Sequence, residues 1–149
     1  MPHRLDLRVY YEDTDLAGIV YYANYLRFIE RARSEWVRTL GIDQTALRRE
    51  AGIVFAVRRI EADYLSPAHF DDELTVLTEP VAATPARLVL RQTVQRGARD
   101  LFVATVTLVA LAPDGRPARL PAVLRGRLGP PTPPRTVANP DSALQKNAE

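Results

Sequence analysis

Between Asn24 and Leu40 the apolar residues recur at helical spacing, and after Gly52 they recur at every second position. That switch constrains the fold most. One long helix with a single apolar stripe, followed by a run of alternating strands, must bury the stripe against the apolar face of the sheet. Tyr25, Ile29, Ala32, Trp36 and Leu40 are spaced by four, three, four and four, with Leu26 and Val37 widening the stripe. Arg27, Glu30, Arg31, Arg33, Ser34 and Arg38 fill the other faces. Asn24 is a candidate cap, because a short side-chain oxygen can accept from the free amides of a first turn. Gly41 stands where the chain must turn left-handed. Over Asn24 to Leu40 the helix would be roughly 25 Å long at about 1.5 Å per residue.

The rest of the chain reads around that helix. Leu5 to Tyr11 alternates as a strand, and Glu12 to Gly18 is an acidic loop ending in glycine. Asp43 offers to cap a short second helix over Gln44 to Ala51. Strands are expected over Val54 to Tyr64, Glu73 to Val81, Arg87 to Gln95 and Leu101 to Leu111. Leu65-Ser66-Pro67 breaks the first of these, since proline cannot donate to a ladder. Arg96-Gly97-Ala98-Arg99 and Pro113-Asp114-Gly115 mark turns. Leu101 to Leu111 is almost continuously apolar, which predicts a central strand covered on both faces. From Gly129 the chain becomes rich in proline and polar residues, which predicts a disordered tail over 129–149 behind one domain over 1–128. The fold class is α+β.

Composition excludes several functions. With 149 residues, 46% of them apolar and 26% charged, the chain has the make-up of one soluble domain with a real core. It holds no cysteine, so disulfides, thiolate metal sites and a cysteine nucleophile are ruled out. The formal charge is only +2, carried by arginine because Lys146 is the sole lysine. No basic stripe interleaved with aromatics appears, so nucleic acid is not the expected partner. Arg58, Arg59, Arg87 and Arg91 are candidates to meet phosphate, with ordinary surface placement the simpler reading of each. Neither a signal-peptide core nor an apolar run of membrane-spanning length is present, so a cytoplasmic location and no integral membrane segment are expected.

The stretch Tyr10-Tyr11-Glu12-Asp13-Thr14-Asp15-Leu16-Ala17-Gly18-Ile19-Val20-Tyr21-Tyr22-Ala23-Asn24-Tyr25 carries a family resemblance. An acidic residue, x, Asp, a small residue, Gly, a hydrophobic pair and an aromatic pair lead into the helix. Phe28-Ile29-Glu30-Arg31-Ala32-Arg33, Asp63-Tyr64-Leu65-Ser66-Pro67-Ala68 and Asp71-Asp72-Glu73-Leu74 continue it. The pattern resembles the 4-hydroxybenzoyl-CoA thioesterase family of hotdog proteins. Within that family it is most similar to the YbgC-type acyl-CoA thioesterases, often associated with the Tol–Pal envelope system. The resemblance covers about residues 5 to 128. It implies a hotdog fold, a curved antiparallel sheet wrapped around one long helix. It also implies a homodimer paired edge to edge, or a homotetramer built from it, with no cofactor and no metal.

Carried over residue by residue, the resemblance makes Asp15 the catalytic carboxylate. It puts the Tyr22 backbone amide where the thioester carbonyl is polarised. Substrate is expected against Gly18, Ile19, Val20, Asn24 and Tyr25. Many YbgC-type members have histidine where this chain has Tyr22, whereas the hydroxybenzoyl-CoA branch has tyrosine. Tyr21, Tyr22 and Tyr25 are read either as walls of an acyl pocket or as core aromatics.

The chemistry suits these residue types. A thiol leaving group, with a pKa of about 8.5, departs without a strong general acid. One carboxylate then suffices, either activating water or attacking directly to give a mixed anhydride. Free amides at a helix start, with the dipole behind them, can hold the oxyanion. The implied substrate is a short- to medium-chain or aromatic acyl-CoA. Two rivals are weighed. A hotdog dehydratase expels hydroxide and needs a histidine beside an acid, but His3 and His69 both lie outside the motif. A non-catalytic acyl-CoA-binding or protein-interaction module on the same fold is disfavoured by Asp15. Glu12 and Asp13 are read as structural or solvated, Asp71, Asp72 and Glu73 as a charged turn, and Ser66 as a turn residue.

Overall fold

The computed structural model describes residues 1–126. The tail expected over 129–149 lies outside the described residues. The elements run β1 (His3–Arg8), a 3₁₀ turn (Tyr11–Asp13), α1 (Asn24–Thr39), α2 (Gln44–Ala51), β2 (Val54–Tyr64), β3 (Glu73–Ala83), β4 (Arg87–Arg96), β5 (Arg99–Leu111), a short β6 (Pro117–Ala118) and α3 (Ala122–Gly126).

All strand pairs are antiparallel, in the order β1-β3-β4-β5-β2, with β6 pairing β5. One face of this sheet packs on α1. Leu74 and Val76 of β3, Leu88, Leu90 and Val94 of β4, and Phe102, Ala104 and Val106 of β5 are all buried with Phe28, Ile29 and Ala32 of the helix. The strand registers shift at Val57/Arg59, Pro80/Ala82 and Val94/Gln95. Each such irregularity bends its strand and increases twist, which lets the sheet curve around the helix. Pro80 accounts for one of them, since it has no N–H to give the ladder. The result is the hotdog arrangement.

Several expected boundaries move. β1 ends at Arg8 rather than Tyr11. Val9 instead exchanges backbone hydrogen bonds with Asp71 and Asp72, and the chain then tightens into the 3₁₀ turn. Leu26 is exposed and does not widen the α1 stripe; Phe28 does, fully buried. β5 is central, but it is not covered on both faces. Phe102, Ala104, Val106, Leu108 and Ala110 are buried, while Val103, Thr105, Thr107 and Val109 on the opposite face are half-buried. Antiparallel sheets commonly pack one face on the core and leave the other open, and among the described residues the helix side is the packed one.

Asn24 does not cap α1. Ala23 is already helical (φ −73°, ψ −19°) and no side chain among the described residues caps the helix, so Asn24 sits inside the first turn with its side chain buried. Asp43 does cap α2, accepting from the Ala46 N–H at 3.1 Å. One polar clip ties α1 to the sheet. Gln92, fully buried on β4, donates to the Ile29 carbonyl at 2.8 Å and to Thr78 Oγ1 at 2.9 Å, and accepts from Arg33 at 3.0 Å. Arg91 is buried beside Glu79 at 3.8 Å, which removes it from the phosphate candidates.

Gly52 ends α2 in the left-handed region (φ 67°), and a Cβ there would stand 2.3 Å from Pro113 Cγ. Gly52→Ala therefore meets both a backbone penalty of about 1–2 kcal/mol and overpacking of about 1–3 kcal/mol. A loss of about 3 kcal/mol is expected in urea unfolding. An unchanged midpoint would show that the α2 end and the Pro113 turn are free to part.

Candidate active site

The loop before α1 is built from its own side chains. Asp13, buried, accepts from the Tyr10 N–H at 2.8 Å and from Asn24 Nδ2 at 2.9 Å. Its backbone carbonyl accepts from the Tyr21 N–H at 2.8 Å. One residue thus binds the 3₁₀ turn to the helix start. Between these anchors Asp15 to Ile19 forms a tight reversal, with Gly18 N–H donating to the Asp15 carbonyl and Asp15 N–H to the Ile19 carbonyl, each at 3.0 Å. Gly18 adopts φ 77°, a conformation glycine enters without steric cost. The loop is then fastened to the segment after β2, through Val20 N–H to the Ala68 carbonyl at 2.8 Å and an Ile19–His69 bridge.

This reversal presents Asp15 to solvent. Its Oδ1 accepts from the Ala17 N–H at 2.9 Å, and its Oδ2 has no partner among the described residues. Nearby, the helix start leaves amides open. Asn24 N–H turns back to the Tyr21 carbonyl at 2.8 Å and Leu26 N–H to the Ala23 carbonyl at 3.1 Å. The Tyr22 and Ala23 N–H groups have no acceptor among the described residues. These are the orphan donors of a helix N-terminus, where partial positive charge collects.

Asp15 and the helix start border one open pocket of about 470 Å³. Of the expected substrate contacts, Ile19, Val20 and Tyr25 line it, as do Asp15, Tyr21 and Tyr22. Gly18 and Asn24 do not line it; the first shapes the loop, and the second is engaged with Asp13. Tyr64, Leu65, Ser66 and Pro67 complete the lining. In the sequence this segment belongs to the family pattern but reads only as a strand end and a break. Its signal was the Asp-Tyr-Leu-Ser-Pro run itself.

The tyrosines answer the question left open between pocket and core. Tyr25 is buried and stacks on Phe102 at 5.0 Å, while its hydroxyl accepts from the Ala68 N–H at 3.1 Å. It forms the floor. Tyr21 and Tyr22 are exposed and meet edge to face at 4.9 Å, forming the rim. Tyr64 stands between them, 5.6 Å from Tyr25 and 6.4 Å from Tyr22, with its hydroxyl donating to the Tyr22 carbonyl at 2.9 Å. Burial pushes the Tyr25 and Tyr64 hydroxyls above the ordinary tyrosine range, and the neighbouring Tyr22 hydroxyl does the same to Tyr21. All three stay protonated at neutral pH.

The surroundings hold few other reactive groups. Asp72 accepts from the His69 N–H at 2.8 Å and from Arg96 at 2.7 Å. Burial alone would raise its pKa, but those donors outweigh it and hold the carboxyl below the ordinary value. The His69 imidazole lies 3.8 Å from Asp72 and is not part of the pocket lining. Among the described residues no three His, Asp or Glu side chains cluster to hold a metal ion, and no helix is long and apolar enough to cross a membrane.

Comparison with known proteins gives this geometry a context. The family model of the thioesterase superfamily matches residues 17–103. The acyl-CoA thioesterase YbgC of Haemophilus influenzae is 42% identical over 105 residues, which span 70% of this chain and 77% of that protein. The acyl-CoA thioester hydrolase YbgC of Escherichia coli O6:H1 is 39% identical over 120 residues, 79% of this chain and 89% of its own. Among solved structures, a probable thioesterase from Bartonella henselae superposes with a TM-score of 0.78 at 36% identity, covering 81% of this chain and all of its own. The family match spans more than half of the chain, and the relatives align along most of their length: the chain belongs to the thioesterase superfamily.

Proposed function

We propose that the protein hydrolyses the thioester of an acyl-CoA, releasing the free acid and coenzyme A. The observation that carries this reading is the meeting of Asp15, with one carboxylate oxygen uncommitted, and the unpaired Tyr22 and Ala23 amides around one aromatic-floored pocket. The acyl group would lie on Tyr25 between the Tyr21, Tyr22 and Tyr64 rings, which suits a short- to medium-chain or aromatic acyl group. Asp15 acts on the carbonyl carbon, directly or through water. The amides hold the charge that develops on oxygen, with the helix dipole behind them. Coenzyme A thiolate then leaves without a strong acid to help it. A cytoplasmic site of action belongs to the same reading.

The test is thiol release over a panel of short, long and aromatic acyl-CoAs. Turnover on part of the panel is the expected result, and its pattern names the acyl class. An enzyme inert on every member but still binding acyl-CoA would move the reading to a non-catalytic acyl-CoA-binding module.

The same reading includes a homodimer. Among the described residues β2 is an outer strand of the sheet, paired along one edge only, eleven residues long, with Val54, Val57, Ile60 and Tyr64 exposed. A long unpaired edge of this kind is a template for a second strand. The pocket is lined by the last residue of β2, so pairing there would wall it from the partner side. Sedimentation is expected at twice the 16.7 kDa monomer mass, or four times if dimers associate. A monomer at micromolar concentration would sink this part.

A further inference from the structure

We propose that Tyr64 is a positioning residue for the reaction: its hydroxyl fixes the peptide that carries the open amides at the start of α1. The inference rests on the thioesterase reading and goes beyond it, since it assigns a role to a side chain on β2.

The Tyr22 carbonyl lies outside the helical ladder. The amide that would normally reach it, that of Leu26, bonds to the Ala23 carbonyl instead. Among the described residues the only donor to the Tyr22 carbonyl is the Tyr64 hydroxyl, at 2.9 Å. That carbonyl and the Ala23 N–H belong to one planar trans peptide, so they point in opposite directions and turn together. Holding the oxygen therefore aims the Ala23 amide, and limits rotation about the bond that links it to the Tyr22 amide.

Tyr64 is itself held. Its ring meets Phe102 at 5.0 Å and Tyr25 at 5.6 Å, both edge to face, and those two rings belong to the core. A phenol is protonated at working pH, and partial desolvation pushes this one further up, so it remains a donor. The core thus reaches through one phenol to a peptide that no helical hydrogen bond restrains. A preorganised donor gains its catalytic value from not having to reorient during the reaction. Losing a whole oxyanion donor costs about 100- to 1000-fold in kcat, so loosening one should cost less. Ground-state binding does not use the developing charge and should be spared.

The experiment is Tyr64→Phe, which keeps the ring and its contacts and removes only the hydroxyl. We expect kcat to fall about 10- to 50-fold on the best panel substrate, with KM within threefold and the melting temperature within 2 °C. The affinity of an unreactive thioether analogue should be unchanged. An active wild type matched within twofold in kcat by Tyr64→Phe overturns this inference and leaves the thioesterase reading standing. A loss that appears in KM or in analogue binding, with kcat unchanged, makes Tyr64 a pocket wall and overturns it equally. A wild type inert on the whole panel overturns both.

Discussion

Replacing Asp15 with asparagine is expected to lower kcat at least about 1000-fold while leaving the fold intact, because the substitution removes charge and nothing else the loop depends on. The side chain keeps its size, and its amide oxygen can still accept from the Ala17 N–H, the one hydrogen bond the Asp15 carboxylate makes among the described residues. The reversal is otherwise held by backbone bonds between Asp15, Gly18 and Ile19, which the substitution does not touch. The melting temperature should therefore stay within about 2 °C of wild type, as surface substitutions usually do. What is lost is the only carboxylate that lines the pocket among the described residues. An asparagine can neither take a proton from water nor attack a carbonyl at neutral pH. KM should change less than threefold, since the tyrosines and the amides that receive the acyl group remain. Undiminished turnover would remove Asp15 from the chemistry. A single turnover in ¹⁸O-labelled water separates the two roles. When direct attack is followed by water opening the anhydride at the Asp15 carbonyl, an unlabelled Asp15 oxygen leaves in the first product and a solvent oxygen stays on Asp15. A general base instead puts solvent oxygen into the product and leaves Asp15 unlabelled.

Most of the scaffold that delivers this residue was legible, for identifiable reasons. α2 runs over Gln44 to Ala51 as read from its Asp43 cap and from the change of period after Gly52, because both are short-range signals that depend on neighbours in sequence. β2 begins and ends where alternation did, since Leu65-Ser66-Pro67 stops the ladder locally. The errors have long-range causes. Nothing near Asn24 in sequence shows that its amide group turns inward to a carboxylate eleven residues earlier. β1 stops short because Val9 finds partners at Asp71 and Asp72, more than sixty residues on. The apolar run of β5 fits a strand buried twice over, but only tertiary structure reveals that one face of the sheet is left to half-buried valines and threonines. The pocket divides the same way. Its loop side, from Asp15 to Tyr25, was contiguous and readable as a motif. Its far wall, Tyr64 to Pro67, comes from a strand end whose orientation is set by pairing with β5.

Asp13 gives the counterpart to Asp15: two acidic residues two positions apart, one expected to matter for turnover and the other for folding. Asp13→Ala should destabilise the protein by about 3 kcal/mol. The Asp13 carboxylate is buried and satisfies two donors, the Tyr10 N–H at 2.8 Å and Asn24 Nδ2 at 2.9 Å. Truncation strands both, and a buried donor left without a partner costs about 1–3 kcal/mol. For a chain of this size that is a fall of roughly 10 °C in melting temperature. Asp13→Asn should fall between wild type and alanine. Its one amide oxygen can serve either donor, but its NH₂ must then face the other. The activity consequence follows from the geometry. The Asp13 side chain joins the 3₁₀ turn to the first turn of α1, and Asp15 and the open amides both lie in the segment which that joint closes. Well below its melting temperature Asp13→Ala should lose turnover only in part, because its backbone carbonyl still receives the Tyr21 N–H. The two variants should therefore separate in paired thermal melts and initial rates. Asp15→Asn stays stable and is silent; Asp13→Ala is fragile and active. A melting temperature for Asp13→Ala within 2 °C of wild type would show that water replaces the carboxylate at both donors and that the joint does not hold the loop.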